Sequence, residues 1–290
     1  MVIVLALLLS ASAKAEDDGV PRPGATGLSV FANAGAVWAD GVNANFYSGR
    51  PGNANTIDRV LHSNTYGTRI WQDLRNDGLI SSAVGSYNEL QVVEYPDMYY
   101  RTSLNIGLGI RYDYGSGFGW LLRFDMWRLE AIGAFNLSTN NGTGILSGNH
   151  QYIRCGMLGK EDRINIELAL SRMVDLGSGL CLEVDLGVGL NNTKVKENLM
   201  EINGSTYSIL DVWNGNTPDV GVGDYEYMNQ GGLGYGVFMS GYLGYRIEGV
   251  GAIKAGYTCY HSSANLKGYN AWGWSHVLNV RFEINNFSFL

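Results

Sequence analysis

The chain has 290 residues, a formal net charge of -7 at pH 7, 46% hydrophobic residues and only 16% charged residues. This charge balance provides no basic surface for nucleic acid, so we expect no nucleic-acid partner. The 40 glycines, 18 tyrosines and a mean hydropathy of -0.06 indicate that apolar and polar positions interleave and do not form long apolar blocks.

The N-terminus has the pattern of a secretory signal peptide. An apolar run from Val2 to Leu9 is too short to cross a bilayer, and small residues follow it up to Ala13-Lys14-Ala15. We therefore predict that residues 1–15 are removed and that residues 16–290 form a single domain. No later stretch has about eighteen consecutive apolar residues, the length typical of a membrane helix. If the mature chain enters a membrane, we therefore expect it to cross as strands.

Alternation of apolar and polar residues predicts eight strands. The first covers Leu28 to Trp38. The second runs from Tyr100 to Tyr114, with Tyr100 and Leu104 on its apolar face, and is more than twice as long as a typical strand of about five or six residues. The remaining predicted strands cover residues 118–126, 164–176, 180–190, 233–247, 253–259 and 274–284.

The connections alternate between very short and very long. Two are Gly-Ser-Gly triplets and a third is Glu248-Gly249-Val250-Gly251; glycine permits the positive φ that a tight hairpin requires. The predicted turn glycines are Gly115, Gly117, Gly177, Gly179, Gly249 and Gly251. The long connections cover residues 39–99, 131–161, 191–230 and 263–271. Long loops therefore lie at one end of the strands, and tight turns and both termini at the other.

This layout resembles that of small bacterial outer-membrane β-barrels, such as the eight-stranded barrel of outer-membrane protein A. The resemblance implies an all-β, antiparallel, up-and-down transmembrane barrel with short periplasmic turns and long extracellular loops. It also implies a place in the outer membrane of a Gram-negative bacterium, among outer-membrane lipids that include lipopolysaccharide. The final residues, Phe287 to Leu290, resemble the aromatic C-terminal signal of that class, although they end in leucine.

The polar faces of the predicted strands are rich in glycine and carry opposite charges. An eight-stranded barrel has an interior just wide enough for side chains, so we expect these charges to form a network inside it. The predicted network contains Arg111, Asp113, Arg123, Asp125, Glu167, Glu183, Asp185, Arg281 and Glu283. A secreted barrel of the lipocalin or avidin type, with its apolar face inward, is the soluble alternative.

The first long connection has two further patterns. Apolar residues at helical spacing between Asn55 and Gly78 predict one or two short amphipathic helices over the barrel mouth, begun by Asn55 or Thr56 and ended by Gly78. Asn88 to Tyr95 predicts either a strand extension that stops at Pro96 or half of an extra hairpin. The second interpretation gives a barrel of ten strands.

One pair of residues suggests catalysis. His261 and Ser263 resemble the His-x-Ser pair of outer-membrane lipid A deacylases, but Leu266 to Val280 contains no Asp or Glu to orient the histidine. We therefore predict a non-enzymatic barrel whose surface loops bind a protein partner or serve a secretion or transport assembly. A deacylase-like hydrolase and a narrow channel or transporter are the alternatives. No cofactor or metal site is predicted.

Overall fold

The computed structural model describes residues 27–53, 55–64, 66–80, 84–115, 117–139, 152–210, 230–247, 250–266 and 268–284. The predicted signal peptide, the C-terminal signal and Gly249 lie outside these residues. The described strands belong to one antiparallel sheet: β1 (Gly27–Trp38), β2 (Leu90–Glu94), β3 (Tyr99–Tyr100), β4 (Ser103–Asp113), β5 (Phe118–Thr139), β6 (Tyr152–Gly177), β7 (Leu180–Ile202), β8 (Ser205–Ser208), β9 (Gly232–Ile247), β10 (Gly251–Ser263) and β11 (Trp272–Ile284).

Eight of these strands form a closed ring in the order β1, β4, β5, β6, β7, β9, β10, β11. Antiparallel pairing of β11 with β1, for example Val280 with Ala34, closes it. The predicted eight-stranded up-and-down barrel is confirmed. The ten-strand alternative is wrong, because β2 pairs with the far end of β5, where Gln91 lies opposite Ser138. It lies along β5 beyond β3 and β4 and adds no strand to the ring.

Strands β5, β6 and β7 are longer than predicted, with 22, 26 and 23 residues. They extend into the ranges 131–161 and 191–230 that the sequence assigned to loops, so those loop bounds are wrong. The reason is a change in which face is apolar. As far as Met126 the outward positions of β5 are apolar, whereas farther along Arg128 points outward and Leu129 and Phe135 are buried on the inward side. Apolar and polar residues still alternate, but in this part of the strand the apolar residues point inward and the polar residues point outward.

A one-residue slip separates β3 from β4. Tyr100 lies opposite Ala131, whereas Asn105 lies opposite Trp127, which is one residue out of step. Because a slip of one residue moves side chains to the other face, Tyr100 is 8% exposed and points inward, while Leu104 is 59% exposed. The prediction that both share the apolar outward face is therefore wrong for Tyr100.

The tight turns lie where the glycine triplets predicted them. Gly177 pairs with Leu180 around a two-residue loop, in which Ser178 and Gly179 have φ values of 52° and 81°. Two positive φ values in a two-residue loop match the right-handed twist of the flanking strands. Gly115 and Gly117 also have positive φ, at 85° and 75°, and Gly251 begins β10.

The first long connection contains the predicted short helices. The connection begins with α1 (Gly41–Ala44) and a 3-10 turn (Asn45–Ser48), which were not predicted. The predicted helices between Asn55 and Gly78 are α2 (Ile57–Leu61) and α3 (Tyr66–Asn76), and a second unpredicted 3-10 turn (Tyr87–Glu89) follows them. Thr56 precedes α2, although its side chain makes no capping hydrogen bond. Gly78, with φ of 70°, ends α3, and the Leu79 amide donates to the Leu74 carbonyl at 2.9 Å. None of the helices in the described ranges is long and apolar enough to cross a membrane.

Candidate functional site

The first cluster of interior charges lies toward the tight-turn end and centres on Glu183. Its carboxylate accepts from Lys254 Nζ at 2.5 Å, from Arg281 Nη1 at 2.5 Å and from Arg111 Nη1 at 3.4 Å. Lys254 also contacts Glu283, Arg111 pairs with Asp113 at 3.0 Å, and Asp185 lies 3.6 Å from Arg281. Buried charges are stable only when they are paired in this way. The sequence prediction missed Lys254, although its neighbours Ile253 and Ala255 point outward and parity alone assigns it to the interior.

The second cluster lies in the middle of the barrel around Arg123. Its guanidinium contacts Glu167 Oε2, through Nε at 2.7 Å, and Asp125 Oδ2 at 3.0 Å. It also donates to the hydroxyls of Tyr242 and Tyr260, at 3.0 and 2.9 Å. Every side chain in this cluster is at most 5% exposed. The tyrosine hydroxyls complete a hydrogen-bond network in which the buried cation has several acceptors.

The third cluster joins the barrel to the first long connection. Glu161 accepts from Arg163 Nη2 at 2.6 Å, from the Tyr47 hydroxyl at 2.6 Å and from the Tyr100 hydroxyl at 3.1 Å. Burial raises the pKa of Tyr47 well above its ordinary value, and the Glu161 charge raises it further. The sequence prediction missed this cluster, because Glu161 fell in a predicted loop and Tyr100 was assigned to the opposite face.

Together these clusters fill the barrel. Arg111, Arg123, Arg163, Arg281 and Lys254 are all fully buried, and aromatic side chains occupy the space between them: Phe31, Trp127, Phe238, Tyr242 and Tyr260. A cavity beside Glu167 and Phe238 has a volume of only about 10 Å³, which is about the space of one water molecule. The nine charged residues predicted for the interior are all buried there. The aromatic filling between them was not predicted.

Beyond the barrel, a packed layer covers the inward face of the long strands. We call it the cap; it consists of residues 41–53, 55–64, 66–80 and 84–94, the ends of β5, β6 and β7 nearest the long connections, and β8. Its core combines helical and strand residues, all at most 3% exposed: Ile57, Val60, Leu61, Ile70, Leu74, Leu129, Phe135, Leu137, Met157 and Met200. This is a helix-on-sheet arrangement, and its apolar core is continuous with the apolar side chains inside the barrel, such as Phe31, Trp127 and Phe238.

Hydrogen bonds fasten the cap and the neighbouring connections to one another. The Tyr207 hydroxyl of β8 donates to Asp73 of α3 at 3.1 Å. The buried amides of Asn55 and Gln230 pair at 2.7 and 3.1 Å, and so link connections that are far apart in sequence. Buried amides paired with each other leave few polar atoms unsatisfied, which favours a single arrangement of these connections.

The structure places the two predicted catalytic residues in separate surroundings. The His261 ring lies on the outward face and stacks on Trp274, with ring centroids 4.5 Å apart. The parity of positions 261 and 263 predicts the same face for Ser263, but Ser263 is 1% exposed, and its hydroxyl donates to Asn270 Oδ1 at 2.5 Å. The serine hydroxyl is therefore engaged by an amide, which cannot act as a base.

Similarity of this chain to known proteins is found among solved structures. No protein-family model and no curated protein matches the chain. Among solved structures, the crystal structure of Neisserial surface protein A is similar at 9% sequence identity, with a TM-score of 0.41, and the match covers 90% of this chain and 98% of that one. Among the described residues, no group of His, Cys, Asp and Glu is arranged to hold a metal ion.

Proposed function

We propose that the chain is a non-enzymatic, non-conducting outer-membrane β-barrel that presents the cap at the cell surface as a binding platform. The partner in this proposal is a protein or an envelope assembly that the chain serves as an accessory subunit. One observation carries the proposal: β5, β6 and β7 continue beyond the apolar outward face and, with the helices of the first connection, form a packed layer whose apolar core continues into the barrel. Connections positioned by a rigid scaffold are where binding residues concentrate.

The distribution of apolar and charged side chains supports a membrane setting. Leu108, Leu170 and Leu278 are 62%, 72% and 55% exposed on the outward face, while arginines and carboxylates fill the interior. A water-soluble barrel has the opposite arrangement, whereas a lipid-facing apolar band around a polar interior is typical of outer-membrane barrels.

Aromatic side chains mark both margins of this apolar band. Near the tight turns, Tyr112 stacks on Trp120. At the other margin the Tyr235 and Trp272 rings meet edge to face, 5.2 Å apart. Tyrosine and tryptophan favour the two membrane–water interfaces, because their rings are amphipathic. In barrels of this kind the tight turns face the periplasm, so the cap is assigned to the outside.

The filled interior supports a protein that does not conduct. Pores need a water-filled lumen, and here the interior holds paired charges and aromatic rings. No contact in the described residues favours hydrolysis at His261 and Ser263. Binding through the cap is therefore the function that the geometry supports best.

Site-directed labelling tests the orientation. In a background with the three cysteines replaced, we introduce Thr206→Cys, at the exposed edge of the cap, or Val250→Cys, at a tight turn. A membrane-impermeant maleimide should label intact cells of the Thr206→Cys strain only, and should label Val250→Cys after the outer membrane is opened. Labelling of Val250→Cys in intact cells contradicts the proposed orientation. Failure of both variants to sediment with membranes contradicts the membrane assignment.

Two further experiments test whether the cap binds a protein and whether the barrel conducts. Photo-crosslinking side chains placed at the exposed positions Gln72 and Gln91 of the cap should capture the same protein in living cells, while one placed at the outward apolar position Ala34 should not. Absence of a crosslinked protein from both cap positions argues against the platform. In planar bilayers the purified chain should produce no single-channel steps, and regular steps overturn the non-conducting assignment.

A further inference from the structure

A charged groove lies on the outward surface directly beyond the apolar band. It has a volume of about 710 Å³ and is lined by side chains of β5, β6 and β7 and by the segment between β3 and β4. Its neighbours toward the band are the exposed apolar residues Leu104, Met126 and Ile164. The groove therefore touches apolar surface on one side and the charged outer face of the cap on the other.

Two irregularities in strand pairing give the groove its shape. One is the slip between β3 and β4, where the Arg101 amide donates to the Glu130 carbonyl at 2.9 Å. The other is a bulge in β7 opposite Lys160 and Glu161, which leaves Lys196 outside the regular pairing. Bulges re-aim side chains and occur preferentially beside functional sites. Here both bring basic residues to the same groove.

In three of the four ion pairs that line the groove, the cationic side chain is clearly more exposed than the carboxylate, whereas Lys160 and Glu197 are about equally exposed. The Arg128 side chain is 77% exposed against 26% for Asp162, and that of Arg101 is 60% exposed against 33% for Glu130. Arg128 faces Asp162 through Nε at 3.4 Å, and Lys196 contacts the same carboxylate at 3.2 Å. The terminal nitrogens of Arg128 carry four N–H groups in addition to the one on Nε. The carboxylates orient the cations, and the cations present donors to the groove.

On the opposite flank of the barrel, the boundary between the apolar band and the cap has different side chains. There the outward residues are aromatic, with His261 between Trp272 and Trp274. In the described ranges, the basic residues at this boundary gather on β5 to β7 and beside β4: Arg101, Arg128, Lys160, Lys194 and Lys196. A general attraction to an anionic surface does not account for such a one-sided grouping, whereas a headgroup bound at one place does.

We propose that this groove binds the phosphorylated headgroup of an acylated lipid of the surrounding leaflet, whose chains lie on the apolar face beside it. Arginine and lysine are the side chains that recognise phosphate, and the volume of the groove falls within the range of small-molecule sites. The inference rests on the proposed membrane setting and adds a ligand to it. It names a lipid ligand on the flank of the barrel, separate from the protein partner proposed for the cap.

Native mass spectrometry of the purified full chain, released from neutral detergent, tests this inference. The probes are bisphosphorylated lipid A, its dephosphorylated form with the same acyl chains, and inorganic phosphate. The wild-type chain should retain the bisphosphorylated lipid about tenfold more strongly than the dephosphorylated one. Equal retention of the two lipids overturns the proposal. Complete displacement of the lipid by inorganic phosphate at equal concentration overturns the lipid assignment and leaves a phosphate site.

A matched pair of variants identifies the groove as the location. The double variant R128Q/K196Q should lose most of the preference for the phosphorylated lipid, while R154Q, which removes an exposed arginine of β6 outside the groove, should keep it. An unchanged preference in R128Q/K196Q contradicts the proposal. If the double variant does not fold, the single variants R128Q and K196Q should each lose part of the preference. Membrane sedimentation and heat-modifiable migration are measured on the same samples, so that failure to insert is distinguished from failure to bind.

Discussion

The ring of Tyr47 lies against the backbone of Gly159, so closely that a Cβ atom on Gly159 would lie 2.3 Å from the ring. This contact places the first long connection against β6, and the Tyr47 hydroxyl then reaches Glu161 at 2.6 Å. A glycine in a strand interior often marks such a close approach of another part of the chain.

Replacement of Gly159 by alanine should loosen the cap. The added methyl group has to displace the Tyr47 ring, and overpacking of this kind costs about 1 to 3 kcal/mol. Limited proteolysis of the first connection and urea unfolding in micelles measure the effect. The control is Gly156→Ala on the same strand, where the nearest atom to the new Cβ is Glu201 Cβ at 3.5 Å, an ordinary contact. Equal stability of the two variants contradicts the inferred packing.

Stability of the cap should fall at alkaline pH through Tyr47. Its pKa in the folded chain is raised by burial and by Glu161, so its contribution is fully present below the unfolded pKa of about 10. Above that pH the unfolded chain releases a proton that the folded chain retains, and stability declines as pH rises. Urea midpoints between pH 8 and 11 should therefore drop more steeply for the wild type than for Tyr47→Phe. A Tyr99→Phe variant, at a side chain that is 55% exposed, should behave like the wild type.

Removal of the charge on Glu183 should strongly destabilise the barrel. Lys254, Arg281 and Arg111 all contact this carboxylate, so Glu183→Gln leaves buried cations without their shared partner. Breaking a buried pair from one side costs about 3 to 5 kcal/mol. Folding into detergent micelles, followed by heat-modifiable gel migration, should show a large loss of folded protein. Glu201→Gln, at an exposed position of the same strand, should fold normally.

A side chain at Gly177, in the Gly-Ser-Gly turn between β6 and β7, should destabilise the barrel modestly through backbone strain. A Cβ there meets nothing within 4 Å, so the cost of Gly177→Ala comes from its φ of 87° alone and should be about 1 kcal/mol. Gly241→Ala is the matched control, since its Cβ also meets open space and its φ is not positive. The urea midpoint should fall for Gly177→Ala and stay level or rise for Gly241→Ala. If both fall alike, backbone strain is not the cause.

Parts of the candidate site followed directly from residue parity. Arg123, Asp125 and Glu167 alternate with large apolar residues, and a strand sends neighbouring residues to opposite faces. The same rule assigns Lys254 to the interior, where the prediction did not place it. Parity fails for Tyr100, because the slip at Arg101 and Thr102 has no signal in the sequence and depends on how β3 and β5 pair.

Residue parity did not predict the cap. The strands β5 to β7 change their apolar face past Met126 and Ile164. The apolar outward face ends there, although the strands continue. The helices of the first connection were predicted from their spacing and from Gly78. Their position against the inward side of β5 to β7 was not, since it depends on contacts such as that of Tyr47 with Gly159.

The sequence by itself determined the barrel: strand number, tight turns and inward charges follow from period-two alternation and glycine, which are local properties of the chain. Only the tertiary structure decided the extent of the long strands, the packing of the cap, the partners of Glu161 and Glu183, and the groove beside Arg128. These depend on the register between strands and on contacts between distant segments. Local patterns do not encode such relationships, because a shift of one residue changes every neighbour of a side chain.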